Sequence, residues 1–275
     1  MTPTTVDHVP VAPGDAIASA PGLGSTMRSE WTKLRTLRST TITIGVTALL
    51  VIGLSALITW AAFGAHTHHR TISNPVGVIQ VGWLFGLLAF AVLGVLVVSN
   101  EYSSGMIVST LLATPRRARV LVAKITVFSV MVFVVGEIMS FINFFVGHGV
   151  ASAFPAYFDP SLSDNNVLRA VIGMGLDAAL VGLIGVALAT LFRNAAAAIA
   201  VGVGLLYVEP IVAAFLPSSV QNPLNEYWPT QAGSQLEEVT RQSHALTAWW
   251  GTGDLALFVA LLLVLAGYTL VKRDA

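Results

Sequence analysis

The sequence predicts an all-α fold, a polytopic membrane protein with about six transmembrane helices, and three observations carry that prediction. Hydrophobic residues make up 55% of the 275 and charged residues only 10%, against roughly a quarter charged in an ordinary soluble domain. Apolar runs of about 20 residues or more recur, each long enough to cross a ~30 Å hydrocarbon core as a helix. The basic residues also segregate to one side when the chain is threaded six times. Lipid offers no partner to a backbone amide and the runs lack the alternation of a barrel strand, so the spans must be helices.

Residues 1–24 are rich in Pro, Ala, Gly and Thr, carry two Asp and no Lys or Arg, and read as a disordered tail. No basic start followed at once by an apolar stretch is present, so no cleaved signal is expected. Residues 25–275 read as a single transmembrane domain. It opens with an amphipathic stretch in which Met27, Trp31, Leu34 and Leu37 share one helical face while Arg28, Lys33 and Arg35 lie largely elsewhere. That pattern predicts a helix lying on the membrane surface.

Six spans follow, near residues 41–63, 77–98, 120–145, 167–191, 195–215 and 249–271. The side that holds both termini then carries Arg28, Lys33, Arg35, Arg38, Arg116, Arg117, Arg119, Lys124, Arg193, Lys272 and Arg273, 11 of the 14 basic residues. Arg70, Arg169 and Arg241 remain for the other side. The positive-inside rule places both termini in the cytoplasm and the protein in the plasma membrane. No internal repeat is evident, which gives no support to an inverted-repeat transporter.

The cytoplasmic connection at residues 100–119 is too long and too apolar for a turn. Ser103 or Ser104 could cap a short helix, Pro115 would stop it, and Arg116, Arg117 and Arg119 would meet anionic headgroups. Physics alone leaves two readings, a docking helix or an arginine-anchored interfacial loop. The segments SEWTKLRTLRST (29–40) and Glu101-Tyr102-Ser103-Ser104-Gly105, leading to Leu112, Pro115, Arg116, Arg117, Arg119 and Lys124, resemble those of the permeases of the type-2 class of ABC exporters, especially the short actinobacterial ones. The first is similar to that family's amphipathic entry helix, the second to its coupling helix. Met106, Ile107 and Val108 stand where the family often has Thr and a basic residue.

The resemblance implies that Glu101, Gly105, Met106, Leu111, Leu112, Pro115 and Arg119 couple the chain to a separate ATPase subunit, and that Met27, Trp31, Lys33, Leu34 and Arg35 form the interfacial helix. It further implies two ATPase copies holding ATP and Mg, and a second permease copy, identical or related. Residues between the fifth and sixth spans, including Pro217, Pro223, Tyr227, Trp228 and Pro229, would form re-entrant helices capping the exit; a passive outer loop is the alternative.

Ionisable residues inside the spans are Glu137, Arg169, Asp177, Glu209 and Asp254, each costing about 2.5–3.5 kcal/mol at the bilayer centre by insertion scales. Arg169, Glu209 and Asp254 lie toward the outer ends and read as a structural cluster, Arg169 pairing with one of the two acids. Glu137 and Asp177 sit nearer mid-membrane and read as lining a transport path. His66, His68, His69 and Arg70 read as a solvated loop rather than a metal site. Gly82 and Gly86 form a small-residue pair that could bring two helices close, in a dimer contact for example.

Several classes are excluded or demoted. The chain has no Cys and hence no disulfide or thiolate chemistry. Zero net charge gives no argument for nucleic acid. No phosphate-binding loop of the G-x-x-x-x-G-K-[ST] type occurs, so any ATPase must be another polypeptide. An ion-coupled transporter or channel using Glu137 and Asp177 is the first rival reading. An intramembrane metalloprotease built on Glu237, Glu238 and Arg241 is the second, weakened by the absence of H-E-x-x-H. Few pore charges fit an amphiphilic or lipid-like cargo.

Overall fold

A computed structural model describes residues 22–65, 74–106, 117–154, 160–240 and 245–272. Among these the regular structure is helical: α1 (Leu23–Thr36), α2 (Arg38–Ala65), α3 (Pro75–Ile79), α4 (Trp83–Ser103), α5 (Arg117–Ala151), α6 (Asn165–Phe192), α7 (Ala195–Val203), a π-helical turn (Gly204–Val208), α8 (Glu209–Ala213), α9 (Ser218–Tyr227), α10 (Pro229–Ser234) and α11 (Ala248–Lys272). Six stretches are long and apolar enough to cross a membrane: Arg38–Gly64, Trp83–Ser103, Ala118–Ala151, Asn165–Phe192, Ala195–Ala213 and Ala248–Lys272. The histidines at 66–69, the segment 107–116 with Leu111, Leu112 and Pro115, and residues 1–21 lie outside the described residues. Leu23 and Gly24, assigned to the tail from sequence, are already in α1.

Helix α6 is the centre of the bundle, with 83% of its apolar window buried, against 17% for α2 and 22% for α11. The reason is composition: α6 carries small residues where its neighbours come closest. A Cβ at Gly185 would overlap the Ala91 carbonyl, and one at Gly94 the Gly182 carbonyl, so α4 and α6 meet backbone to backbone. Bulky side chains on α2 and α11, such as Leu49, Trp60, Leu261 and Val264, are exposed and face where lipid would be.

Two spans depart from the expectation of unbroken helices. The second is interrupted at Gln80–Gly82, and its long helix starts at Trp83 and runs on to Ser103. Polar side chains from neighbouring helices satisfy the break. Ser55 Oγ accepts the Gly82 N–H at 2.9 Å, and Asn143 Nδ2 donates to the Ile79 carbonyl at 3.2 Å. Gly82 and Gly86 both pack on α2, at Val51 and Ser55, so this small-residue pair serves a contact inside the chain. In the fifth span Pro210 has no N–H for the Leu206 carbonyl, and its ring crowds that oxygen. The helix widens into the π turn just before it. The Leu205 carbonyl accepts from Trp228 Nε1 at 3.0 Å and Thr230 Oγ1 at 3.1 Å, which draws α10 against the span.

Candidate functional site

Two constructions stand out, one at each end of the bundle. At the end that holds the termini, four charges from three helices form a knot. Lys124 Nζ on α5 donates to Glu30 Oε2 on α1 at 2.6 Å and to Glu101 Oε1 on α4 at 2.9 Å. Lys33 Nζ on α1 donates to Glu30 Oε1 at 2.7 Å and Glu101 Oε1 at 2.9 Å. Glu30, Glu101 and Lys124 are buried, and Lys33 keeps about a quarter of its side chain exposed. Two carboxylates and two ammoniums cancel, which is what lets the group sit out of water. Burial alone pushes the Glu30 carboxyl up, but Lys124 and Lys33 together overcome it and hold it below its ordinary value. Burial pushes Lys33 down, and bonds to Glu30 and Glu101 outweigh it, holding the ammonium above its ordinary value.

The knot changes three expectations. Helix α1 turns Thr26, Glu30 and Leu34 inward rather than a purely apolar stripe, because Lys124 supplies a buried partner for Glu30. Lys33 leaves the polar face for the interior. Met27 and Trp31 face a shallow groove against Thr126, Val127 and Val130 of α5, and Arg35 stays exposed. Lys124 points into the protein, and Glu101, 4% exposed, braces the helices internally instead of presenting a free carboxylate to a partner.

Ser103 and Ser104 reach back into the helix they end; a helix that either could cap falls in 107–116, outside the described residues. Their hydroxyls donate back to the Asn100 carbonyl at 3.2 and 2.7 Å, closing α4. Gly105 follows at φ +68°, a conformation open to glycine at little cost. It turns the chain at Met106, which keeps 41% of its surface exposed. Arg119, on the first turn of α5, is half-buried.

The opposite end is shaped by the segment from α9 to residue 240. Helix α10 and the turn after it insert between α6 and α11: Gly251 lies on the Ala232 backbone, Gly173 on Leu236, and Gly233 against Leu255 and Asp177. Arg169 on α6 locks this arrangement. It pairs with neither Glu209 nor Asp254, as the sequence had suggested; its Nη1 donates to the carbonyls of Gln235 and Leu236 at 3.1 and 2.9 Å, and its Nη2 to that of Glu238 at 2.7 Å. Those carbonyls end the α10 turn without helical partners, and the guanidinium fork spans them.

Beneath this segment is a cavity of about 330 Å³ running from Gly77 on α3 past Leu87 on α4 to Val181 on α6. Asp177, Glu237 and Glu238 line it, with Gln80, Trp83 and Tyr207. The carboxyls of Asp177 and Glu237 meet. Burial pushes the Glu237 carboxyl well up, and the Asp177 charge beside it pushes further the same way. Glu238 accepts from Asn74 Nδ2 at 3.1 Å. Asp177 lines this cavity, and Glu137 is not among its lining residues: its carboxyl packs at the α5–α6 joint, in the space left by Gly175. Glu209 and Asp254 lie outside the cavity wall. Sequence reasoning placed Glu237 in an outer loop; the insertion of α10, which puts it beside Asp177, has no local signal.

Against known proteins, a sequence model of the family described as "ABC-2 family transporter protein" matches residues 26–209. No curated protein sequence matches the chain.

Proposed function

The chain belongs to the ABC-2 transporter family, whose membrane proteins work with ATP-binding subunits, and we propose that it is the permease subunit of an ATP-binding-cassette exporter. ATP and Mg are held by the separate subunit, two copies of which dock on two permease copies. Both termini and the knot face the cytoplasm, and an amphiphilic or lipid-like cargo leaves toward the α10 side.

The observation that carries the reading is the four-charge knot. The segment that begins at Gly105 leaves α4 directly below Glu101 and returns to α5 seven residues before Lys124, so both roots of the segment are fastened to each other and to α1. A push delivered there by a closing ATPase moves α1, α4 and α5 as one body. An uncoupled loop would pass little of that displacement to the spans. Helix α4 in turn contacts α6 backbone to backbone and walls the cavity, which links the docking end to the cargo end through rigid elements.

The test is co-expression with a candidate ATP-binding subunit. The two should co-purify, and inside-out vesicles should accumulate cargo only with hydrolysable ATP. Transport that survives an inactive ATPase but stops when the proton gradient is collapsed would overturn the proposal in favour of an ion-coupled carrier.

A further inference from the structure

Three carboxyl groups line the α4–α6–α10 cavity, and among its described lining residues there is no Lys, Arg or His. Arg169, on the same helix as Asp177, is engaged by three backbone carbonyls. The rest of the wall is mostly apolar, with two aromatic side chains. Tyr207 is held in place by donating its hydroxyl to the Leu84 carbonyl. Acidity alone would say little, but the wall also carries unpartnered polar atoms on side chains that are almost wholly enclosed. These are Asp177 Oδ1, Gln80 Nε2 and Trp83 Nε1, on residues 3, 2 and 2% exposed. Buried polar atoms are nearly always paired, so this wall is built for something that is not the protein.

We propose that the cavity binds the ammonium group of a cationic amphiphile, with the Asp177–Glu237 carboxyl pair as its counter-charge and Trp83 and Tyr207 as its aromatic wall. A cation is attracted to this carboxyl pair, and an ammonium beside aromatic faces gains further attraction. The apolar stretch of Leu84, Leu87 and Leu206 takes the hydrocarbon part. Gln80 and Trp83 leave N–H donors for an oxygen on the same ligand. The phosphate of a zwitterionic lipid would lie against the same carboxyls, so the ligand carries net positive charge. That this ligand is the cargo rests on the permease reading; that the site binds it does not.

The experiment uses the full chain, without any ATPase, in phosphatidylcholine nanodiscs, with empty discs as the blank. The probe is dansylcadaverine, an aromatic sulfonamide bearing a primary ammonium, compared with its N-acetylated neutral form by fluorescence titration. The expected result is saturable binding of the ammonium form at least about tenfold tighter than the neutral one, weakened by about 10- to 100-fold in Glu237→Gln and in Asp177→Asn. Equal affinity for both probe forms overturns the proposal, as does unchanged binding in Glu237→Gln, and the cavity is then a water-filled vestibule. If Asp177→Asn fails to fold, probe selectivity and the Glu237→Gln titration still decide. ATPase co-purification of Glu237→Gln, scored separately, shows whether the permease reading stands independently.

Discussion

Replacing Lys124 by Met removes the centre of the knot. Lys124 is about 5% exposed and makes two charge-assisted bonds at 2.6 and 2.9 Å. Its loss leaves two buried carboxylates sharing the single ammonium of Lys33, and Glu101 Oε2 already has no partner. Removing one partner of a buried ion pair costs about 3–5 kcal/mol, because the remaining charge is stranded. Lys33 also makes two bonds, but its side chain is 24% exposed, so water can replace part of what it gives and Lys33→Met should cost about 1–2 kcal/mol. Substituting Leu or Met at all four positions together strands nothing and should be nearly neutral in stability while cutting the mechanical tie. The assay is reversible unfolding of each variant in bicelles or nanodiscs against wild type. Lys33→Met costing as much as Lys124→Met, or a silent Lys124→Met, would refute the argument that burial of the central ammonium sets the energetics.

Three further outcomes follow from the same geometry. Because Glu30 titrates below its ordinary 4.5, its contribution is fully present above that pH and is lost as pH falls through the depressed value; Lys33, held above 10.5, loses its contribution only as pH rises past that. Protection factors for hydrogen exchange in α1, corrected for the intrinsic pH dependence of amide exchange, should therefore be high between those limits and fall below about pH 4.5, with Glu30→Gln abolishing the acid limb. Arg169→Ala frees three carbonyls from charged donors at about 1.5–3 kcal/mol each before relaxation, so proteolysis within 235–240 should speed up by at least about tenfold while α1 stays protected. Gly185→Leu forces α4 and α6 apart where backbone meets backbone and should lower folded yield sharply, whereas Gly45→Leu on α2, where a Cβ meets nothing, should be tolerated; yield by size exclusion checks both.

The spans were legible because lipid permits little besides an apolar helix, and six of them follow from run length alone. What escaped was tertiary. The break at Gln80–Gly82 exists because Ser55 and Asn143, on other helices, satisfy it; nothing within 77–98 requires it. Lys33 and Glu101 are 68 positions apart and Glu30 and Lys124 are 94 apart, so amphipathicity in α1 could not reveal that its buried face is charged. One signal was available: a Glu and a Lys standing just inside the two spans that flank one connecting segment, each too deep to be comfortable alone. The same holds for Asp177, whose mid-membrane depth marked it, while its partner Glu237 became visible only when α10 folded inward. Arg169 was expected to seek a carboxylate, but helix-end carbonyls, which are also unpaired and negative, reached it first.

The central claim is that the segment after Gly105 is cytoplasmic and is where an ATP-binding subunit engages. The chain contains no cysteine, so Met106→Cys introduces a single addressable thiol at an exposed position. In intact cells it should be shielded from a membrane-impermeant maleimide, react after permeabilisation, and cross-link to the ATP-binding subunit in the assembled complex. Labelling from outside the intact cell would contradict the threading and the coupling mechanism together.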